Sequence, residues 1–305
     1  MNWFEDFETR HFDVNGARIV ARVSHGVCGQ RRALLLLHGF PQTHAMWNRV
    51  AQALVNDFYL VMPDLRGYGD SAKPDGPADH SAYSKRAMAQ DAVAVMEALG
   101  LARFGVCGHD RGGRVAHRLA LDHPDRVARL CLIDIAPTLD MYAATDFEFA
   151  KAYDHWFHLI QPAPLPETML GATPAAALAY LHHKLGGWGS AGLGHIEPAA
   201  LAEYERCFIK PDTLHAICED YRASAGIDLT HDRDSRAQGQ KMACDTLLLW
   251  GARGVVNRLF KPLALWQAQC AGQVSGHCLP AGHYIPEELP RETAAQLLAF
   301  FGARA

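Results

Sequence analysis

Three residues able to make and break bonds follow one another along the 305-residue chain: Asp110, Asp134 and His283. Asp110 stands at the apex of Val106-Cys107-Gly108-His109-Asp110-Arg111-Gly112-Gly113-Arg114. An apolar strand-like run precedes this stretch, and a helix-like run, Val115 to Leu121, follows it and stops at Asp122-His123-Pro124. Strand, tight glycine-flanked turn and helix is the geometry of a nucleophile elbow. Gly108 and Gly112 are expected to let the backbone turn without a Cβ clash. An acid at the apex, where a serine hydrolase carries its hydroxyl, points to attack by a carboxylate and a covalent ester intermediate. Taken alone, the segment also fits a βα turn whose aspartate merely caps the helix. The other two residues shift the weight towards chemistry. Both follow apolar strand-like runs, and nucleophile, acid, histidine is the chain order of the elbow hydrolases. A histidine near Asp110 would take a proton from water, and Asp134 would hold its other ring nitrogen in the correct tautomer.

Further groups fit around that trio. His38-Gly39-Phe40-Pro41 follows the first core strand, and the backbone N–H of Phe40 with that of Arg111 would form an oxyanion hole. Arg111 adjoins Asp110, and Arg114 lies four residues on, about one helical turn along the same face. Two guanidiniums there would capture a small anionic substrate, most naturally a carboxylate held by forked hydrogen bonds. A structural ion pair is the competing explanation for Arg114. His117 and Arg118 are expected to face outward. His155 and Trp156, with Tyr221 further on, could donate to a leaving halide, which needs its developing charge met in place. Core packing is the competing explanation for Trp156 and Tyr221.

The elements that must position these groups are legible as alternating runs. Asn15-Gly16 between two short strand patterns signals a hairpin. Leu34 to Leu37 is a continuous apolar run, as expected of a strand buried on both faces of a parallel sheet. Phe58 to Met62, the elbow strand, and Leu130 to Ile133 continue the pattern, with a helix at about 82–99. The reading is an α/β fold with a mostly parallel, doubly wound sheet, whose active residues lie beyond the carboxyl ends of the strands. After Pro137 the chain turns helical and aromatic until about residue 225, an inserted helical lid. Residues 1–137 and 226–305 then form the core and 138–225 the lid. Strand runs return at Thr246 to Trp250 and Val274 to Leu279, and a last helix is expected at about 287–303.

Composition narrows the function classes. A formal net charge of −4 without basic runs argues against nucleic acid or an anionic membrane as partner. The start is acidic and unlike a signal peptide, and no apolar run approaches a membrane span. Eight scattered cysteines without a CxxC pair, Cys107, Cys131 and Cys278 among them, are expected as buried reduced thiols of a cytoplasmic protein. The 17 histidines show no metal-ligand spacing, so no metal site is expected.

Taken together, the chain resembles the α/β-hydrolase superfamily and, within it, the fluoroacetate and haloacetate dehalogenases. The resemblance rests on His38-Gly39-Phe40-Pro41-Gln42-Thr43-His44, Arg66-Gly67-Tyr68-Gly69-Asp70-Ser71, Gly108-His109-Asp110-Arg111-Gly112-Gly113-Arg114, Tyr153-Asp154-His155-Trp156, Asp220-Tyr221-Arg222-Ala223 and Gly282-His283. It implies an α/β-hydrolase fold and a cofactor-free hydrolysis of a short haloacid to the hydroxy acid and halide. Asp110 would displace halide from the α-carbon. Arg111 and Arg114 would hold the carboxylate, while His155, Trp156 and Tyr221 would cradle the halide. His283, oriented by Asp134, would activate water against the ester. A homodimer is also compatible with the resemblance. An epoxide hydrolase on the same aspartate is the alternative enzyme; it would want two lid tyrosines, and Tyr142, Tyr153, Tyr180, Tyr204 and Tyr221 are on offer. A non-catalytic ligand receptor is the alternative outside enzymes.

Overall fold

The computed structural model describes residues 4–26 and 29–302. Eight strands form one sheet: β1 (Phe7–Val14), β2 (Ala17–Ser24), β3 (Arg32–Leu37), β4 (Phe58–Pro63), β5 (Phe104–His109), β6 (Val127–Ile133), β7 (Thr246–Gly251) and β8 (Val274–Leu279). Their spatial order is β1-β2-β4-β3-β5-β6-β7-β8. The β1–β2 hairpin turns through Asn15 and Gly16, both at positive φ (48° and 73°), as a two-residue loop between twisted strands requires. β2 also runs antiparallel to β4, and every pairing from β4 through β3 to β8 is parallel. Leu34 to Leu37 are fully buried, because helices cover both faces of this central part.

Before the helical block come α1 (Asn48–Leu54), α2 (Lys85–Ala98) and α3 (Asp110–Asp122). Ser84 caps α2 by accepting from the Ala87 N–H at 3.1 Å. Between β6 and β7 run α4 (Thr138–Ala143), α5 (Phe147–Ala152), α6 (Asp154–His158), α7 (Leu165–Leu170), α8 (Pro174–Leu185), α9 (Pro198–Phe208), α10 (Pro211–Ala225) and α11 (Ile227–Ala237). The remainder is α12 (Val255–Leu259), α13 (Pro262–Gln269), α14 (Ile285–Glu288) and α15 (Pro290–Gly302). Among the described residues no helix is long and apolar enough to cross a membrane.

Three expectations need correction. The last helix is two: the chain leaves helical geometry at Leu289, the residue before Pro290, where the proline ring disfavours the α region. His117 and Arg118 are buried: the His117 ring packs on Trp266 of α13, centroids 4.9 Å apart, and α11 covers Arg118. Arg118 donates to Asp232 and Ser235 of α11 at 2.6 and 3.0 Å. Cys278 is exposed, since β8 is an edge strand with much of its surface open. Cys28 and Arg304 lie outside the described residues.

The flanking glycines spare the elbow a Cβ clash, as expected, though not by taking positive φ themselves. The residue at positive φ is Asp110 itself (45°), and Asp134 is at 50°. The glycines instead permit close approach. A Cβ on Gly112 would lie 2.4 Å from the carbonyl oxygens of Leu37 and His38, and one on Gly108 would lie 2.4 Å from the Gly112 carbonyl oxygen. Both neighbours are backbone and have little freedom to yield. Gly112→Ala is therefore expected to destabilise the protein by about 1–3 kcal/mol, as overpacking does. A urea midpoint unchanged from wild type would refute this.

Candidate active site

The parallel strands all point their carboxyl ends towards one edge of the sheet, and the sequence-predicted trio meets there. β5 delivers Asp110, β6 delivers Asp134, and the loop after β8 delivers His283. All three are buried, at 6%, 1% and 4% exposure. His283 Nδ1 lies 2.6 Å from Asp134 Oδ2, and the other Asp134 oxygen accepts the Gly251 N–H at 3.0 Å. That second bond fixes the carboxylate plane, so the imidazole it holds is fixed as well. His283 Nε2 faces Asp110 Oδ2 at 4.0 Å, space enough for a small reactant to alter the contact. Asp110 Oδ1 accepts the backbone N–H of Phe40 at 3.0 Å. The Phe40 amide thus already points at the carboxyl group on which an oxyanion would form. His109 packs on His283, ring centroids 4.6 Å apart, and its Nε2 lies 2.9 Å from the His283 carbonyl oxygen.

Charges set the protonation states. Burial pushes the Asp110 carboxyl up, but His283, Arg114, His109 and Arg111 more than offset this and hold it below the usual carboxylate range. Asp110 is therefore ionised at neutral pH. Burial pushes His283 down, yet its bond to Asp134 and the charges of Asp134 and Asp110 leave it above its ordinary value. Burial, followed by the charges of Lys184, Arg111, His283 and Arg114, drives His155 well below its ordinary value, so its ring is neutral.

The two arginines are buried side by side but are not equivalent. Arg111 turns its side-on fork away from a ligand and onto Asp220 of α10, with Nε to Oδ2 at 2.8 Å and Nη2 to Oδ1 at 2.6 Å. Nη2 also reaches the Asp220 carbonyl and Ser224 Oγ, each at 2.8 Å. Only Nη1 is left without a hydrogen bond among the described residues. Asp220 is fully buried and also accepts from Tyr68 Oη at 2.6 Å and from Lys85 Nζ. Burial raises its carboxyl, but Arg111 and Lys85 overcome this and keep it ionised. Arg114 has no carboxylate partner among the described residues. Its Nη1 donates to Thr138 Oγ1 at 2.7 Å and the Ala136 carbonyl at 3.3 Å, and Nη2 meets only the Met141 sulfur at 3.3 Å. Arg114 Nε is buried with no partner among the described residues. Of the two forked edges expected, only that of Arg114 is without a carboxylate among the described residues.

Opposite the arginines, α6 and α10 bring His155 and Tyr221 together, ring centroids 5.4 Å apart, with Phe40 packed against both at 5.6 and 5.3 Å. His155 Nδ1 and Tyr221 Oη are buried without partners among the described residues, an arrangement that costs free energy unless a ligand satisfies it. The Arg111 guanidinium lies over the Tyr221 ring at 4.2 Å, and that of Arg114 over Trp156 at 4.7 Å. Trp156 is 1% exposed and packs against Tyr142, Phe149 and Tyr153.

Two contributors are not legible as such in the sequence. Trp188 lies in Gly186-Gly187-Trp188-Gly189, a stretch that signals only a loop. Its indole packs against His155 and His283, at 4.8 and 5.3 Å, and its carbonyl accepts the His283 N–H at 3.1 Å. A large aromatic in a glycine turn, where small polar residues normally serve, is the available signal. Lys85 gives none: a lysine at the start of a helix looks like ordinary surface.

The α/β hydrolase fold family model matches residues 32–290. A fluoroacetate dehalogenase of Burkholderia sp. is 43% identical over 97% of this chain and 94% of its own length. A soluble epoxide hydrolase of Corynebacterium sp. strain C12 is 28% identical over 92% of this chain and 93% of its own. Among solved structures, a Nostoc sp. PCC 7120 protein assigned to the α/β hydrolases superposes with a TM-score of 0.92. It is 51% identical, with 99% of this chain and 100% of that one covered.

Proposed function

This chain belongs to the α/β-hydrolase family and, within it, to the haloacetate dehalogenases, and on that premise we propose that it hydrolyses a short haloacid to the hydroxy acid and halide through an ester on Asp110. The observation that carries the reading is a buried, ionised carboxylate at a strained elbow beside an arginine whose forked edge has an Nε with no partner among the described residues and an Nη2 that meets only a thioether. A carboxylate-bearing substrate would complete that edge. Arg114 takes the carboxylate through Nε and Nη2, with Arg111 Nη1 as a single further donor. Asp110 attacks the α-carbon, and the halide departs towards His155, Tyr221 and Trp156. Water, deprotonated by His283, then attacks the Asp110 ester, and the Phe40 N–H, with the Arg111 N–H at the start of α3, meets the charge on the tetrahedral oxygen. The reaction needs the substrate anion and water, and no cofactor. Because each half-reaction uses groups of one chain, a homodimer is compatible with the mechanism but not required by it. Nothing in the chemistry calls for nucleic acid, a membrane or a compartment other than the cytoplasm.

The test is halide release from fluoroacetate and chloroacetate, with the uncharged chloroacetamide alongside. Release from the two acids and little from the amide is expected. Release from the amide at the rate of the acid would remove the carboxylate clamp from the mechanism, and release from neither acid would refute the reading.

Unequal arginines give a sharper expectation. Arg114→Gln should lower kcat/KM for chloroacetate by about 10²-fold or more while costing less stability than the same change at Arg111, because it orphans a hydroxyl and a carbonyl and no buried carboxylate. Arg111→Gln should also lower activity, but it strips a buried carboxylate of its forked partner and should cost about 3 kcal/mol of stability. Equal unfolding midpoints for the two variants would contradict this division.

The pH dependence follows from the charges around His283. In the free enzyme Asp110 helps to raise the His283 pKa. Esterification removes that negative charge, so the pKa falls and the neutral base is more populated just when water must be activated. Ester hydrolysis should therefore speed up as pH rises, with a midpoint below the His283 titration of the free enzyme. Single-turnover rates against an NMR titration check this, and a midpoint at or above the free-enzyme value would contradict it.

A further inference from the structure

The donors at the leaving-group end of the site can do more than solvate a halide. A departing halide needs hydrogen bonds but takes no proton. His155 suits that role, because its ring is neutral and a neutral imidazole holds its remaining N–H more tightly than a phenol holds its O–H. Tyr221 differs. Its hydroxyl is a transferable proton, fully buried, without a partner among the described residues, and on a ring packed against Phe40, whose N–H binds Asp110. Tyr142 Oη is a second phenol without a partner among the described residues, on a ring 4.7 Å from Trp156, over which Arg114 lies. Tyr153 borders the same region, with its ring 5.8 Å from His155 and 5.3 Å from Trp156, and Tyr180 Oη also lacks a partner among the described residues, but Tyr204 and Tyr180 pack elsewhere. Tyr204 donates to Glu287 at 2.9 Å, and Tyr180 stacks on Phe208, with Lys184 over its ring.

A carboxylate nucleophile, a carboxylate clamp and a buried phenol are together what an epoxide bearing a carboxylate requires. We propose that this site also opens 2,3-epoxy acids, of which glycidate is the smallest, to the vicinal dihydroxy acid, with Tyr221 as the proton donor to the ring oxygen. The inference rests on the roles proposed above for Asp110 and the arginines. Glycidate is larger than chloroacetate by a single heavy atom. Its leaving oxygen occupies the place of the halide but stays tethered through the adjacent methylene.

The steps balance. Asp110 forms a bond to the carbon bearing the carboxylate, the ring carbon–oxygen bond breaks, and its electron pair goes to oxygen, which takes the Tyr221 proton. Water then hydrolyses the ester through His283, and the proton this liberates returns to the Tyr221 phenolate. Epoxide plus water gives diol with no net proton. Dehalogenation has no such acceptor: halide leaves unprotonated, so each turnover must release a proton to solvent.

That difference supplies the experiment. Purified enzyme is given glycidate, propylene oxide or chloroacetate, under pH-stat control and, in a second series, in oxygen-18 water over many turnovers. Glyceric acid formation from glycidate is expected without acid release, whereas chloroacetate releases one proton per chloride. Oxygen-18 should appear on the carbon next to the carboxylate. Propylene oxide, which lacks the carboxylate, should turn over at least about 10²-fold less efficiently. Tyr221→Phe removes a hydroxyl with no partner among the described residues, so the fold should persist. It should lower glycidate turnover by about 10²-fold or more, the usual reach of general acid catalysis, and chloride release by clearly less. Label on the far carbon, equal losses on both substrates in Tyr221→Phe, or efficient turnover of propylene oxide would each overturn the proposal. Inertness towards glycidate with chloroacetate still consumed would overturn it alone, whereas inertness towards both would overturn the dehalogenase reading as well.

Discussion

Asp110→Asn is expected to abolish halide release from chloroacetate, by at least about 10⁴-fold, in a protein that still folds. Asparagine is the informative replacement because it keeps what the position demands and deletes only the nucleophile. It tolerates the positive φ of 45° better than any residue but glycine or aspartate. Its side-chain oxygen can still accept the Phe40 N–H that Asp110 Oδ1 accepts at 3.0 Å. What it loses is the charge that His283, Arg114, His109 and Arg111 stabilise, and with it the electron pair that displaces halide. The variant should show a near-native melting temperature and still bind substrate, because the Arg114 edge is untouched. Halide electrode readings check the activity, and peptide mass confirms that the amide has not reverted to aspartate. Appreciable steady-state release with the amide intact would show that water is attacking the carbon directly, and the covalent mechanism would fall.

What is visible in the sequence, and what is not, divides along a physical line. Groups whose position follows from local chain geometry are legible. Leu34 to Leu37 announces a strand buried on both faces, and β3 is that strand. Asp110, Asp134 and His283 each end or follow an apolar strand run. A parallel sheet sends all such ends to one edge, so their meeting follows from topology. Groups whose role depends on a distant partner are not legible. Arg111 reads as a ligand-binding arginine, but its fork closes on Asp220, 109 residues away. Nothing about Arg111 or its neighbours signals that engagement. Lys85 and Tyr68 join the same carboxylate from two other elements, and their convergence exists only once α10 has packed. α11 is hidden because its charged sequence, Ile227 to Ala237, buries few apolar residues and shows no strong apolar stripe. Its cover nevertheless turns Arg118 inward. Cys278 defies its local pattern for the opposite reason: an apolar run at a sheet edge has no second neighbour to bury it.

His283→Ala separates the two half-reactions, and the expected outcome is a burst. Displacement of halide needs Asp110 and the arginines but no proton transfer, so the variant should release about one halide per site at a rate within an order of magnitude of wild type. It should then stop, because no base remains within reach of the water that must attack the ester. His109, the nearest imidazole, cannot substitute. Its Nε2 is engaged with the residue 283 carbonyl, and burial, the first cause of its lowered pKa, does not depend on the His283 charge. Intact-mass measurement should find the substrate's carboxymethyl group attached, and peptide mapping should place it on Asp110. Alanine also leaves Asp134 without the partner it holds at 2.6 Å, though the Gly251 N–H still satisfies its other oxygen. Some loss of stability is therefore expected, and the burst must be read at a temperature where the variant is folded. Two results would count against the roles assigned to this pair. Continued turnover would remove His283 as the base for ester hydrolysis. A folded variant that releases no halide and carries no adduct would mean that His283 is needed before the ester forms, and Asp110 would lose its place as a nucleophile that acts unaided.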